Sequence, residues 1–215
     1  MNLRKYNTFI FDCDGVLLDS NRLKTAAFYQ AVESYGDQAA EKFIQYHIEN
    51  GGVSRYKKID YFFNDILKVT IENFEKERVL ELYAHLVRDG LMKCKVASGL
   101  HALRKKYPAT LWMVASGGDQ KELREVFEAR NLYQLFDGGI FGSPDDKGLI
   151  VKREKESVNF LHPAVFFGDS QLDHKVAKQE DIDFIFVHEW TEFSQWKKYC
   201  DEHQVLSINN LAEIS

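Results

Sequence analysis

The chain has 215 residues, 45% of them hydrophobic and 13% aromatic, enough to bury a substantial core in one large domain or a domain with an insertion. A formal net charge of -5 argues against a general nucleic-acid binder, and three cysteines without a CxxC pair exclude a disulfide framework and a cysteine-rich zinc site. No apolar run approaches membrane-spanning length and no apolar stretch follows the basic N-terminus, so a reduced, cytoplasmic protein without a membrane partner or signal peptide is expected.

In chain order, TFIFD at 8–12 reads as a short buried strand that ends on an acid. From Arg22 to about Met92 the spacing turns helical, in AAFYQAVESYG, AAEKFIQYHIEN, SRYKKIDYFFNDIL and FEKERVLELYAHLVRDG. In the third of these Ile59, Phe62, Phe63, Ile66 and Leu67 share a face. Ser54 is its expected N-cap, and Gly36 and Gly90 are expected stops. This is a helical insert of four helices. Strands and helices then alternate. Strands are expected in TLWMVAS, GGIFGS, AVFFGDS, DFIFVHE and VLSI. Helices are expected in SGLHALRKKY, DQKELREVFEARN, KGLIVKREKESVNFL, SQLDHKVAKQ and TEFSQWKKYCDEH. Alternation of this kind implies an α/β fold with a parallel sheet and helices on both faces.

Ligands of such sheets bind beyond the carboxyl ends of the strands. Polar residues gather there. Asp12 and Asp14 end the first strand; Ser116, Gly117 and Gly118 end the second; Asp169 and Ser170 end AVFFG, with Asp173 one helical turn on. Lys147 stands at a helix start after GGIFGSP. Two carboxylates one residue apart repel, so a metal ion, a hydrogen-bond network or a shared proton must compensate them. Asp169 could join Asp12 around one hard divalent cation, and magnesium suits an oxygen-only set of one or two carboxylates with water and phosphate. Lys147 adds positive charge, Ser116 a hydroxyl, and glycine-bordered turns add backbone amides for phosphate oxygens. Such a rim equips a protein for phosphoryl transfer, with Asp12 free to act as a carboxylate nucleophile.

Each feature has a plainer alternative. DCDG can be a turn whose side chains bond local amides. Ser116 can cap DQKELREVF, a role compatible with phosphate binding. Lys147 can be a solvated lysine, Asp173 can pair with Lys175, and Cys13, between the acids, is read as a small core residue. The seven histidines form no HxxxH or HxH set, so no zinc site is expected.

DCDGVLLDS, then SGG after a hydrophobic strand, then Lys147, then GDSQLD resemble the four ordered motifs of the haloacid dehalogenase-like hydrolase superfamily, in its phosphoglycolate phosphatase and beta-phosphoglucomutase-like branch. The resemblance covers nearly the whole chain. It implies a Rossmann-like three-layer core formed by 1–16 and 95–215, closed by a mobile α-helical cap at 17–94. It implies Asp12 as nucleophile, Asp14 as general acid and then base, Ser116 as phosphate-binding hydroxyl and Lys147 as stabilising lysine, with Lys152 a less suitable candidate. It implies Mg2+ held by Asp12, Asp169 and the backbone carbonyl of Asp14, with Asp173 in a supporting position. The family often has threonine where this chain has Val16, and valine is a familiar variant.

In the cap, ENGGVSRYKK carries a glycine turn followed by Arg55, Lys57 and Lys58. It reads either as a solvated basic turn or as a substrate loop in which Arg55 and Lys58 join Ser116 and Gly117 on the substrate. The expected activity is a magnesium-dependent phosphatase for a small phosphorylated metabolite, a sugar phosphate or phosphorylated acid. The alternatives are a phosphomutase and a non-catalytic phosphate-ligand binding protein. A dehalogenase fits less well, because that reaction needs no cation. Cap joints are expected near Leu17 to Arg22 and Lys93 to Ser98, eased by Gly15 and Gly99.

Overall fold

In a computed structural model of the protein, residues 3–70, 72–157 and 160–215 are described. The first strand, β1 (Thr8–Phe11), is buried at every position, as a central parallel strand covered on both faces must be. Four helical stretches follow: α1 (Asn21–Val32), α2 (Asp37–Glu49), α3 (Arg55–Tyr61), which continues as a π-helical turn over Phe62–Leu67, and α4 (Asn73–Lys93). The chain then alternates through α5 (Leu100–Lys106), β2 (Leu111–Asp119), α6 (Gln120–Ala129), β3 (Gly139–Ser143), α7 (Lys147–Lys155), β4 (Ala164–Gly168), α8 (Gln171–Gln179), β5 (Asp183–Val187), α9 (Trp196–His203) and β6 (Leu206–Ile208).

The strands form one parallel sheet in the order β3-β2-β1-β4-β5-β6. The order reverses at β1, so a crevice opens between the carboxyl ends of β1 and β4. Pleating divides the side chains between two faces. Phe9 and Phe11 pack with Trp112, Val114 and Phe167 on the face covered by Leu103 of α5 and Phe127 of α6. Ile10, Met113 and Phe166 pack with Ile150 of α7 and Val176 of α8 on the other. The helical segment has an aromatic core of its own, with Phe28 stacked on Tyr83 at 4.0 Å and Phe43 against Phe62 at 5.0 Å. Its joint to the sheet is an antiparallel bridge between Leu18 and Val96, beside a hydrogen bond from Ala97 N to Leu17 O of 2.9 Å.

Four local expectations are corrected. Gly90 does not stop a helix: α4 runs on to Lys93, and Gly90 lets Leu23 of α1 pack against the helix backbone, since a Cβ there would meet Leu23 at 2.5 Å. The single helix expected over 54–67 changes to π-helical turns at Phe62 and ends at Lys68, which has φ +56. α7 ends at Lys155; its expected continuation over 158 and 159 lies outside the described residues. α9 starts at Trp196, five residues after the expected Thr191, because the Thr191 hydroxyl donates to Asp169 O at 2.7 Å and accepts from Phe193 N at 3.1 Å, which fixes a turn instead. Ser54 caps α3 as expected, accepting from Lys57 N. Among the described residues no helix is long and apolar enough to cross a membrane.

Candidate active site

β1 delivers Asp12 to the crevice, 2% exposed, with its amide donating to Phe167 O of β4 at 2.9 Å. β4 delivers Asp169, also buried. α8 opens on a reciprocal cap: Ser170 Oγ accepts from Asp173 N, and the Asp173 carboxylate accepts from the Ser170 amide and hydroxyl. That cap turns the other Asp173 oxygen toward Lys147. Lys147 Nζ, at the first position of α7, reaches Asp173 Oδ1 at 2.5 Å and Asp12 Oδ2 at 2.7 Å. Lys152 is exposed farther along the same helix.

Ligand atoms of Asp12, Asp169 and Asp173 lie within 4.8 Å of one another. Three buried carboxylates thus face one ammonium. Burial raises the Asp12 carboxyl to about 7 against the pull of Lys147, with Asp173 and Asp14 adding to the rise. Burial, then Asp12 and Asp173, push Asp169 well above the carboxylate range. The cluster is short of positive charge, and its donors are hard oxygens. That set fits a divalent cation of the magnesium type. Both Asp173 oxygens are engaged by Lys147 and Ser170, so Asp173 orients the lysine rather than pairing with Lys175.

Asp14 points elsewhere. Its oxygens accept from Ser20 Oγ at 2.6 Å and Lys24 Nζ at 2.7 Å. Burial acts to raise its carboxyl, but Lys24 and the two hydrogen bonds overcome that and hold it below its ordinary value. Ser116 is fully buried at the end of β2, where its hydroxyl accepts from Gly118 N at 3.0 Å. It does not cap α6; Asp119 does, accepting from Glu122 N at 2.9 Å.

The helical segment reaches down onto this rim. A Cβ on Gly117 would lie 2.2 Å from Gly52 O, and one on Gly52, at φ +81, 3.2 Å from Lys147 Nζ. Gly15, at φ +79, lets the chain pass so close to Asp169 that a Cβ would meet its Oδ2 at 2.1 Å. Three successive residues of the insert bond the core. Arg55 forks onto Glu122, Tyr56 donates to Asp119 at 2.8 Å, and Lys57 pairs with Asp146 at 2.6 Å. Arg55 and Lys58 are both buried and line one cavity with Asp12, Asp14, Gly117 and Asp169. Arg55 already has its carboxylate partner.

Sequence reasoning missed Lys24, Asn21 and Thr191. Asn21 donates to Asp169 Oδ2 at 2.7 Å and to Trp190 O at 3.0 Å. Lys24 had a signal. The buried residues of α1 are Lys24, Ala27, Phe28, Ala31 and Val32, so a cation occupies an apolar helical stripe. Asn21 and Thr191 had none, being ordinary polar residues brought in from the first position of α1 and from the turn before α9.

A doubly wound parallel sheet with buried carboxylates and a lysine at its switch point defines an enzyme of the Rossmann-like α/β class. The sequence model of the haloacid dehalogenase-like hydrolase family matches residues 6–181, and the chain belongs to that family. It is 26% identical over 187 residues to a phosphorylated carbohydrates phosphatase of Thermotoga maritima, covering 82% of each chain. It is 27% identical over 175 residues to a probable pseudouridine-5'-phosphatase of Drosophila melanogaster, covering 77% of this chain and 69% of the relative. In fold it is similar to beta-phosphoglucomutase from Clostridium difficile, with a TM-score of 0.76 at 16% identity over 98% of this chain and 93% of that one.

Proposed function

We propose that this enzyme is a magnesium-dependent phosphatase for a small phosphorylated metabolite, working through a phosphoryl group carried transiently on Asp12. The observation that supports it most is the buried contact of Lys147 Nζ with Asp12 Oδ2 at 2.7 Å, inside a carboxylate cluster that lacks positive charge. Asp12, Asp169 and the backbone carbonyl of Asp14 would hold the cation. Bound there, it neutralises the carboxylates and the phosphoryl oxygens. Lys147 and the Ser116 hydroxyl, with the amide of Gly117, hold the remaining phosphoryl oxygens. Asp173 keeps Lys147 in place.

An Asp12 oxygen attacks phosphorus, and the bond from phosphorus to the leaving oxygen breaks. That oxygen takes a proton from Asp14. Water then attacks the phosphoryl group, Asp14 takes the water's proton, and the bond to Asp12 breaks to release phosphate. Asp14 as paired with Lys24 is in the ionised form that suits the second half. The first half needs it protonated, so the Lys24 contact is exchanged during the cycle. Residues 17–94 act as a cap over the core of 1–16 and 95–215, with joints near Leu17 to Arg22 and Lys93 to Ser98. Scattering and exchange data that do not change with magnesium and a phosphate analogue would sink the mobile cap.

Phosphorylated carbohydrates are named for the Thermotoga relative, so sugar phosphates lead the candidate substrates and phosphorylated acids follow. The test is phosphate release from a panel of both, with and without magnesium, with Asp12→Asn as control. Magnesium-dependent release that the variant loses is expected. Release that survives chelation or the substitution would overturn the mechanism, and an isomeric sugar phosphate formed without free phosphate would make the enzyme a mutase.

A further inference from the structure

The cavity, about 170 Å³, is lined on the core side by Asp12 and Asp169 and on the cap side by Lys58, His47, Phe28 and Tyr83. The buried cations in and beside it differ in their partners. Lys147 has Asp12 and Asp173, Lys24 has Asp14, and Arg55 has Glu122. Lys58, only 2% exposed, has no carboxylate in reach among the described residues. An ammonium carries three donors. One goes to His47 Nδ1 at 2.7 Å and one to His47 O at 3.3 Å. The third has no acceptor among the described residues.

The bonds beyond His47 fix its tautomer. The Thr25 hydroxyl spends its one proton on Glu192 Oε2 at 2.6 Å, so it must accept from His47 Nε2 at 3.0 Å. The Nε2–H form leaves Nδ1 as an acceptor, which suits a protonated Lys58. Burial and Lys58 push the His47 pKa well down, keeping the ring neutral. The ammonium is therefore aimed and oriented, yet the carboxylate at the end of its bonded chain, Glu192, lies two neutral groups away. Burial, with Lys24 alongside, lowers the Lys58 pKa to about 7.

We propose that the leaving moiety of the substrate carries a second anionic group, a carboxylate or a second phosphate, bound by the Lys58 ammonium that His47 orients. The proposal rests on the phosphatase reading, because it seats the reacting phosphate at Asp12. A neutral sugar hydroxyl on Lys58 is the rival occupant.

The test is calorimetric titration of the magnesium-loaded protein with three probes of three carbons each: 3-phosphonopropionate, 1,3-propylenediphosphonate and propylphosphonate. At least one of the first two is expected to bind about tenfold or more tighter than propylphosphonate, and the tighter one tells carboxylate from phosphate. In Lys58→Met that ratio should fall to about one, whatever the absolute affinities, and Lys58→Arg should keep part of it. Equal wild-type affinity for all three probes would overturn the proposal, and so would a ratio that survives Lys58→Met. The wild-type comparison decides even if the variant does not fold. Hydrolysis of p-nitrophenyl phosphate separates the two readings. Magnesium-dependent release without a charge preference would sink the anion site alone. A preference without release would support the anion site and sink the phosphatase.

Discussion

At the carboxyl rim of the sheet, three buried carboxylates face one ammonium; across the same cavity, on the helical insert, no carboxylate among the described residues bonds the buried Lys58 ammonium. Both regions are buried, and both hold charge that bonded partners do not balance. They differ in the sign of what is missing. The rim is short of positive charge, which a divalent metal would supply. The cap side lacks an anion, which the substrate would bring. Lys24 and Lys58 repeat the contrast between two lysines. Both are buried, but Asp14 beside Lys24 overcomes its desolvation and raises its pKa, whereas Lys58 falls to about 7. Burial sets the cost, and the nearest carboxylate decides whether the charge survives.

The largest effect is expected at the rim. Asp12→Asn should cut magnesium-dependent phosphate release by about a thousandfold or more, because it removes the proposed nucleophile. A loss of tenfold or less would break the assignment of the rim. Next comes the seam between the regions. Glu122→Ala strands the Arg55 guanidinium, 6% exposed, and should cost about 3 kcal/mol of stability in chemical denaturation. A loss under about 0.5 kcal/mol would show that the seam opens readily to water.

The cap side gives a smaller effect of opposite sign. Between pH 7 and 10 the unfolded chain keeps a proton on Lys58 that the folded chain sheds, so the contribution of Lys58 to stability rises with pH across that range. The charged and titratable groups facing Lys58 are Lys24, Asp14, Lys147, Glu192 and the neutral His47. Lys58→Met removes the proton difference. It should stabilise the ligand-free protein by on the order of 1–3 kcal/mol near pH 7, with the gain fading toward pH 10. Melting curves at several pH values read this directly, and a destabilised variant at pH 7 would put a hidden counter-ion beside Lys58. The smallest effect is expected from Thr25→Val, which removes the hydroxyl that links His47 to Glu192. It should cost about 1 kcal/mol in stability and lower the charge preference of the cavity two- to threefold. An unchanged preference would free Lys58 from that chain of bonds.

The acids of the rim were legible because each sits next to its own signal. Asp12 and Asp14 follow a buried strand, and Asp169 and Asp173 follow another in the spacing that builds a helix cap. Buried parallel strands and amphipathic helices are written in neighbouring residues, so the α/β class and the helical insert could be read directly. The stop at Gly90 was misread because a glycine near a helix end and one that admits a neighbouring side chain look alike in one chain. Lys24 was written more faintly, as a cation within an apolar helical stripe, and Lys58 stood among the basic residues that follow the glycine turn.

Sequence by itself determined the order of strands and helices and the carboxylates at their ends, since both depend on spacing of a few residues. Tertiary structure alone decided which charges meet. It chose Lys147 over Lys152, tied Asp14 to Lys24, turned Arg55 to Glu122 and left Lys58 without a carboxylate. Ion pairs form across tens of residues, in surroundings whose dryness exists only after the chain has folded, and no local pattern records them.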